Sequence, residues 1–110
     1  MRAVPLDPVD AFTLYDAPMP VGKGTLDPIT VILRDFGGSG QVIVECYGSA
    51  WSQWFGAIGT SSLRHFLATC HPEYLAEKLL STTSQRFNKT TTKWVERIAY
   101  AIVSHLKEAQ

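Results

Sequence analysis

The sequence is poor in cysteine and has no excess of either charge. Its two cysteines, Cys46 and Cys70, have a spacing that fits neither a disulfide framework nor a zinc finger. Ten basic side chains balance ten acidic ones, which argues against bulk electrostatic capture of nucleic acid or anionic lipid. The sparse cysteines favour a reducing cytoplasm, and we expect the chain to hold no metal and no cofactor.

Long apolar runs are also missing. No stretch approaches the roughly 18 to 20 apolar residues that would span a membrane, and the N-terminal segment MRAVPLDPVD has no apolar run of signal-peptide length. We therefore expect a soluble chain with no membrane partner. A length of 110 residues lies near the commonest domain size, so residues 1–110 are predicted to form a single domain.

Proline is scarce after the first quarter of the chain. Five of the six prolines lie within residues 1–28, where their fixed φ and missing N–H discourage a helix or a central strand. Residues 1–28 are therefore predicted to be an irregular lead-in. Within it, residues 11–15 (AFTLY) place Phe12 and Leu14 on one face, which predicts a short edge strand.

Alternating β-branched segments predict a β-meander over residues 29–56. Residues 29–36 (ITVILRDF) and 41–47 (QVIVECY) have the two-residue period of half-buried strands. The GGSG segment between them supplies the positive φ angles of a short hairpin turn. A phosphate-binding loop is disfavoured, because a strand follows these glycines where such a loop has a helix. Residues 50–55 predict a third strand.

The hydrophobic period changes to about 3.6 residues in the second half, which predicts a helical part over residues 60–108. A first helix follows the N-cap candidates Thr60 and Ser61 and has an apolar stripe of Leu63, Phe66, Leu67 and Cys70. Pro72 starts a second helix, residues 81–91 are predicted to be a polar loop, and residues 92–109 form the longest helix.

Strands followed by helices predict an α+β fold. We expect a small antiparallel sheet of about three strands, with the N-terminal edge strand as a further member, packed against about three helices.

Aromatic side chains are concentrated in GSAWSQWFG, residues 48–56. On a strand, Trp51 and Phe55 face one way and Trp54 the other, so a sheet covered on one side exposes at least one tryptophan. Trp and Tyr commonly anchor protein interfaces, which makes this region a candidate protein-binding surface formed by Tyr47, Trp51, Trp54 and Phe55. The alternative is that the lead-in folds over the second face and buries it.

Four of the ten basic side chains form the only basic cluster of the sequence, at Arg86, Lys89, Lys93 and Arg97. Lys93 and Arg97 are four residues apart and would share a helix face, where they could contact phosphates. Phe87 beside them could stack on a base. Solvated side chains at the start of a helix are the simpler interpretation, and we favour it over a nucleic-acid interface.

Catalytic constellations are not evident. Cys70 and His71 could act as a thiolate and a base, but adjacent residues on a helix point about 100° apart and no third, orienting group is identifiable. Cys70 on the apolar stripe is better explained as a small hydrophobic side chain. We therefore expect no enzyme, and keep a hydrolase that uses Cys70 as a further alternative.

Two segments carry a resemblance to a known family, residues 27–59 (DPITVILRDFGGSGQVIVECYGSAWSQWFGAIG) and 66–79 (FLATCHPEYLAEKL). The chain resembles small uncharacterised accessory proteins of temperate phages and prophages. Those proteins have a similar strand, a glycine-rich turn, an ECYG-x-AW core, an aromatic-Gly-Ala-x-Gly segment and a C-x-x-x-Y-L-x-x-K-L helix. The family supplies no active site.

The resemblance implies a phage accessory gene whose product acts by binding one macromolecule in the cytoplasm of the bacterial host. We expect a host or phage protein as partner, with the chain a monomer or homodimer. Our leading hypothesis is an inhibitor of a bacterial defence system such as a CRISPR effector. The alternative is a nucleic-acid-associated accessory protein that uses the basic segment 86–97.

Overall fold

The structure, a computed structural model, describes residues 1–6, 9–18, 24–81 and 88–109. In chain order its elements are β1 (Asp10–Leu14), β2 (Ile29–Asp35), β3 (Gly40–Cys46), β4 (Ser49–Phe55), α1 (Leu63–Thr69), α2 (Pro72–Ser81) and α3 (Lys89–Glu108). The predicted α+β class is confirmed. The sheet has four strands where about three were predicted, because the edge strand within the lead-in does form.

The four strands form one antiparallel sheet in the order β1-β2-β3-β4, so each strand pairs with its neighbour in sequence. The middle of the sheet illustrates the register, with one row across the strands formed by Phe12, Val31, Val44 and Trp51. Because side chains alternate along a strand, the next position of each strand belongs to the opposite face.

Two tight turns fix this register. In the β2–β3 turn, Gly37 and Gly38 have φ of 71° and 86°, and the predicted antiparallel hairpin is confirmed. The β3–β4 turn has two residues, Tyr47 and Gly48, with φ of 50° and 79°, as a type I′ hairpin turn requires. A tyrosine is uncommon there, since a side chain disfavours this left-handed conformation by about 1 to 2 kcal/mol.

A side-chain cap sets the start of α1. The Ser62 hydroxyl accepts the backbone N–H of His65 at 3.1 Å, which makes Ser62 the N-cap instead of the predicted Thr60 or Ser61. All three residues are small and polar, so the sequence pattern favours a cap in this region but does not choose among them.

The longest helix begins earlier than predicted. Asn88 is its N-cap, because the Asn88 side-chain oxygen accepts the backbone N–H of Thr91 at 2.8 Å, and α3 starts at Lys89 instead of residue 92. The predicted loop over residues 81–91 is therefore wrong at its two ends, where Ser81 closes α2 and residues 89–91 open α3. The rest of that loop, residues 82–87, lies outside the described residues.

All three helices pack on one face of the sheet. Within the described ranges the buried side chains are all apolar, with no buried polar or charged residue. Aromatic pairs join the two layers. Trp51 of β4 meets Trp94 of α3 edge to face, with 5.1 Å between ring centroids, and Phe55 meets Phe66 of α1 at 5.5 Å.

β1 is tied to the helices at the edge of the sheet. The Arg64 side chain of α1 donates to the Asp10 carboxylate at 2.6 Å, and the Phe12 ring lies 4.8 Å from the His105 imidazole of α3. This part of the lead-in therefore extends the sheet sideways instead of folding over its second face.

Candidate protein-binding site

The two faces of β4 separate its aromatic side chains. Trp51 and Phe55 point into the core, where they are 4% and 6% exposed, whereas Trp54 is 54% exposed on the opposite face. The structure thus removes Trp51 and Phe55 from the predicted contact surface, because helices already cover them. Trp54 stays at the surface, as the alternation along the strand predicts.

The sheet face opposite the helices carries no covering layer in the part of the chain that the structure describes. We call it the open face. Its side chains alternate with the core positions and are half-buried or exposed: Ala11, Thr13, Thr30, Ile32, Arg34, Gln41, Ile43, Glu45, Ala50, Ser52 and Trp54. Aliphatic and aromatic groups thus remain in contact with water on this face, a feature typical of interaction surfaces.

Trp54 is the centre of a cluster at one end of the open face. Its ring centroid lies 5.4 Å from that of Phe36, and the Arg34 guanidinium lies over the Phe36 ring, 4.9 Å from its centroid. Arg34 also donates to the Gln41 side-chain oxygen at 2.9 Å. These four residues, Arg34, Phe36, Gln41 and Trp54, are named the Trp54 cluster.

Strand register assembles the Trp54 cluster from three separate strands. Arg34 pairs with Gln41 across β2 and β3, and Gln41 pairs with Trp54 across β3 and β4. Phe36 follows the end of β2 and is held by the turn, since its backbone N–H donates to the Ser39 carbonyl at 2.9 Å. The cluster is therefore built on paired strands and a hydrogen-bonded turn.

Asp35, the residue before Phe36, anchors the turn next to the Trp54 cluster. Its carboxylate accepts the backbone N–H of Leu63 at 2.8 Å and that of Gly37 at 2.9 Å. Because both donors favour the charged carboxylate, they hold the pKa of Asp35 below its ordinary value, the Leu63 N–H having the larger effect. This residue thereby links the turn that carries Phe36 to the first residue of α1.

The chemistry of the Trp54 cluster suits a protein partner. Trp54 is 54% exposed and Phe36 48% exposed, and Arg34 lies beside them with a charged planar group. Tryptophan and arginine are over-represented among residues that contribute most to protein interfaces. Side chains that are already held in place lose less conformational entropy on binding.

Tyr47 is the most exposed of the predicted contact residues, at 78%. It lies in the β3–β4 turn, at the opposite end of the hairpin from Trp54. Six residues of strand at roughly 3.3 Å each separate the two by about 20 Å. The structure therefore does not bring Tyr47 into the Trp54 cluster.

The basic residues take a more regular arrangement than predicted. Because α3 begins at Lys89, three of them, Lys89, Lys93 and Arg97, lie at four-residue spacing along one side of the helix. Arg86, and Phe87 beside it, lie outside the described residues. Acidic side chains share the surface, as shown by a groove of about 450 Å³ between α2 and α3 lined by Pro72, Glu73, Lys93, Glu96, Arg97 and Tyr100.

The two thiols have environments that disfavour the thiolate. Burial raises the pKa of Cys70, and its Sγ donates to the Phe66 carbonyl at 3.3 Å. Burial also raises the pKa of Cys46, with smaller contributions from the charges of Asp27 and Glu45. Among the described residues, no three side chains of histidine, cysteine, aspartate or glutamate are grouped so that they could hold a metal ion.

Comparison with known families identifies the chain. A family model described as a phage family matches residues 13–109, from β1 to the end of α3. The chain belongs to this phage family. The matched range is longer than the two segments that carry the resemblance, residues 27–59 and 66–79. No curated protein and no solved structure matches the chain.

Within the ranges that the structure describes, no helix of the phage-family protein has both the length and the apolar character needed to cross a bilayer.

Sequence reasoning missed Phe36 and Arg34 as partners of Trp54. Pairing residues 29–36 with 41–47 would have placed Arg34 on the face opposite the core, but nothing in the sequence of the turn indicates which way Phe36 projects.

Proposed function

We propose that this phage-family protein is an accessory protein that acts by binding a host protein through the Trp54 cluster. The observation that carries the proposal is the contact between two half-exposed aromatic rings, Trp54 and Phe36, on a sheet face that no described element covers. The product of an accessory gene of a temperate phage or prophage would suit this proposal, because phage products of this size commonly act by contacting one host macromolecule.

The partner class that we propose is a bacterial defence complex, of which a CRISPR effector is one example, reached in the cytoplasm of the host. Support comes from the phage family together with a surface suited to protein contact. The protein needs no catalysis for this role, since occupying a functional surface of the partner is sufficient to inhibit it.

Affinity capture with matched variants tests the proposal. Tagged wild type, Trp54→Ala and Tyr100→Ala are incubated with host lysate after nuclease treatment. Tyr100 is the control because it is 57% exposed but lies on α3, away from the open face. We expect a host protein that the wild type and Tyr100→Ala retain and Trp54→Ala loses. Equal retention by all three proteins would exclude the Trp54 cluster as the binding surface.

A second function is favoured by the position of the basic side chains. The early start of α3 aligns Lys89, Lys93 and Arg97 on one side of a helix, and such a stripe can contact successive phosphates. Glu96 and Glu73 near Lys93 and Arg97 oppose this role by repelling phosphate, so we rank it below protein binding.

Salt dependence distinguishes this second function. Binding of single-stranded and double-stranded DNA and RNA is measured by fluorescence anisotropy at several salt concentrations. A nucleic-acid interface predicts an affinity that falls steeply with salt, with a shallower slope in a triple variant with alanine at Lys89, Lys93 and Arg97. Undetectable binding at low salt would remove this function.

A further inference from the structure

The open face has a pattern that is complementary to itself. The strand register arranges its side chains in three rows across the sheet. The middle row contains Ala11, Ile32, Ile43 and Ser52. The row nearer the β2–β3 turn contains Arg34, Gln41 and Trp54. The row nearer the β3–β4 turn contains Thr13, Thr30, Glu45 and Ala50.

A two-fold axis that runs across the strands, parallel to the middle row and between two copies, would bring their open faces together. This operation places the middle row against itself, so Ile32 and Ile43 of one copy meet the same residues of the second. It also exchanges the two outer rows. Trp54 of one copy then faces Ala50 of the other, which sets a large side chain against a small one on the same strand.

The exchange of rows also pairs opposite charges. Arg34 on β2 of one copy comes to lie beside Glu45 on β3 of the other, displaced sideways by one strand, about 5 Å. Packed sheets are separated by about 10 Å, a gap that an arginine and a glutamate side chain span together. The symmetry forms this pair twice.

We propose that this protein forms a two-fold dimer in which the open faces of two copies pack against each other. Charge complementarity between Arg34 and Glu45 and size complementarity between Trp54 and Ala50 both require the same axis. A middle row that is apolar except for Ser52 lies between them. A closed isologous contact of this kind also leaves neither open face free to associate further.

Charge reversal tests the dimer on the purified full-length chain. Arg34→Glu gives a copy with two acidic positions, and Glu45→Arg gives one with two basic positions, so each variant alone opposes like charges. We expect wild type to sediment at about twice the chain mass of 12.2 kDa. Each single variant should self-associate at least about tenfold more weakly, and an equimolar mixture of the two should recover the dimer.

Several outcomes would overturn the dimer. They are a wild type that stays monomeric at its highest soluble concentration, single variants that remain dimeric, and a mixture that fails to restore the dimer. Tyr100→Ala is the control and should remain dimeric. If circular dichroism shows that a charge variant is unfolded, Ala50→Lys replaces it, because Ala50 is exposed and the longer side chain blocks the approach of Trp54.

The dimer has a consequence for the proposed function. A host protein that binds the Trp54 cluster must displace the second copy, and this competition rests on the proposed function. The two tests remain separate, because the sedimentation experiment contains no host protein. Failure of the dimer would leave host binding untouched, and failure of host capture would leave the dimer untouched.

Discussion

Asp35 joins the β2–β3 hairpin to the first helix, with its carboxylate 2.8 Å from the backbone nitrogen of Leu63. The second oxygen of the same carboxylate accepts the N–H of Gly37 in the turn. The turn beneath the Trp54 cluster is thus anchored to the helical layer by one side chain. A surface aspartate thereby connects the stability of the fold to the geometry of the candidate binding site.

Removing the Asp35 carboxylate should destabilise the protein. Asp35→Ala leaves the N–H of Leu63 and that of Gly37 without their partner. Loss of such side-chain hydrogen bonds at the start of a helix is expected to lower the free energy of unfolding by about 1 kcal/mol. Urea denaturation measures the change. Asp27→Ala, at another exposed aspartate two residues before β2, is the control and should differ little from wild type. Equal effects of the two substitutions would contradict a stabilising role for the hydrogen bonds that Asp35 accepts.

Stability should also fall in acid because of Asp35. Its pKa is lowered in the folded state, so its contribution is present above the ordinary carboxyl pKa of about 4 and is lost as the pH falls through the folded value. Thermal melting between about pH 2 and pH 6 should show a steeper loss in wild type than in Asp35→Asn. Parallel curves for the two proteins would show that this carboxylate is not linked to folding.

Gly40 should not tolerate a methyl group. A Cβ at this position would lie 2.8 Å and 2.9 Å from the two methyl carbons of Leu63 and 3.1 Å from the Arg34 carbonyl oxygen. Gly40→Ala is therefore expected to lower the free energy of unfolding by about 1 to 3 kcal/mol.

Gly56→Ala is the matched control for Gly40→Ala, because the nearest atom to its added Cβ is 3.5 Å away, in the Trp54 side chain. Chemical denaturation of both variants should place Gly56→Ala close to wild type. Equal stability of the two variants would contradict the close packing of β3 against the start of α1.

The two tryptophans of β4 should separate stability from binding. Trp51→Ala removes a core side chain that packs on Trp94 and should destabilise the protein by about 3 to 5 kcal/mol. Trp54→Ala removes an exposed ring and should change stability by less than about 1 kcal/mol. Thermal melting of the two variants checks this order, and similar losses would mean that Trp54 also has a structural role.

Cys70 should react slowly with alkylating reagents near neutral pH. Its raised pKa and its contact with the Phe66 carbonyl keep the thiol protonated, and the thiolate is the reactive form. The rate of iodoacetamide modification at pH 7.5, compared with that of a cysteine peptide, measures this property. Reaction faster than the peptide would favour the hydrolase that uses Cys70.

Local patterns in the sequence predicted most of the fold. Two local signals predict the hairpin and the side chains that share each of its faces. They are the alternation in residues 29–36 and 41–47 and the glycines between these segments. The predicted start of α3 is too late because a threonine-rich stretch has weak helix propensity, whereas the Asn88 side chain caps the helix and residues 89–91 are helical.

The candidate site depends more on contacts between distant segments. Strand alternation was sufficient to separate Trp54 from Trp51, but which of them the helices cover depends on packing. Phe36 joins Trp54 through a turn conformation that glycine-rich segments do not specify uniquely, and the anchor between Asp35 and Leu63 joins residues far apart in sequence. Such contacts leave no periodic signal.

The most direct test of the central claim is the affinity of the captured host protein for wild type, Trp54→Ala and Tyr100→Ala, measured by calorimetric titration after all three have passed the same folding check. We predict that Trp54→Ala weakens binding by at least about thirtyfold, the 2 kcal/mol expected of a dominant interface residue, while Tyr100→Ala binds like wild type. Unchanged affinity of Trp54→Ala would contradict the assignment of the open face as the binding surface.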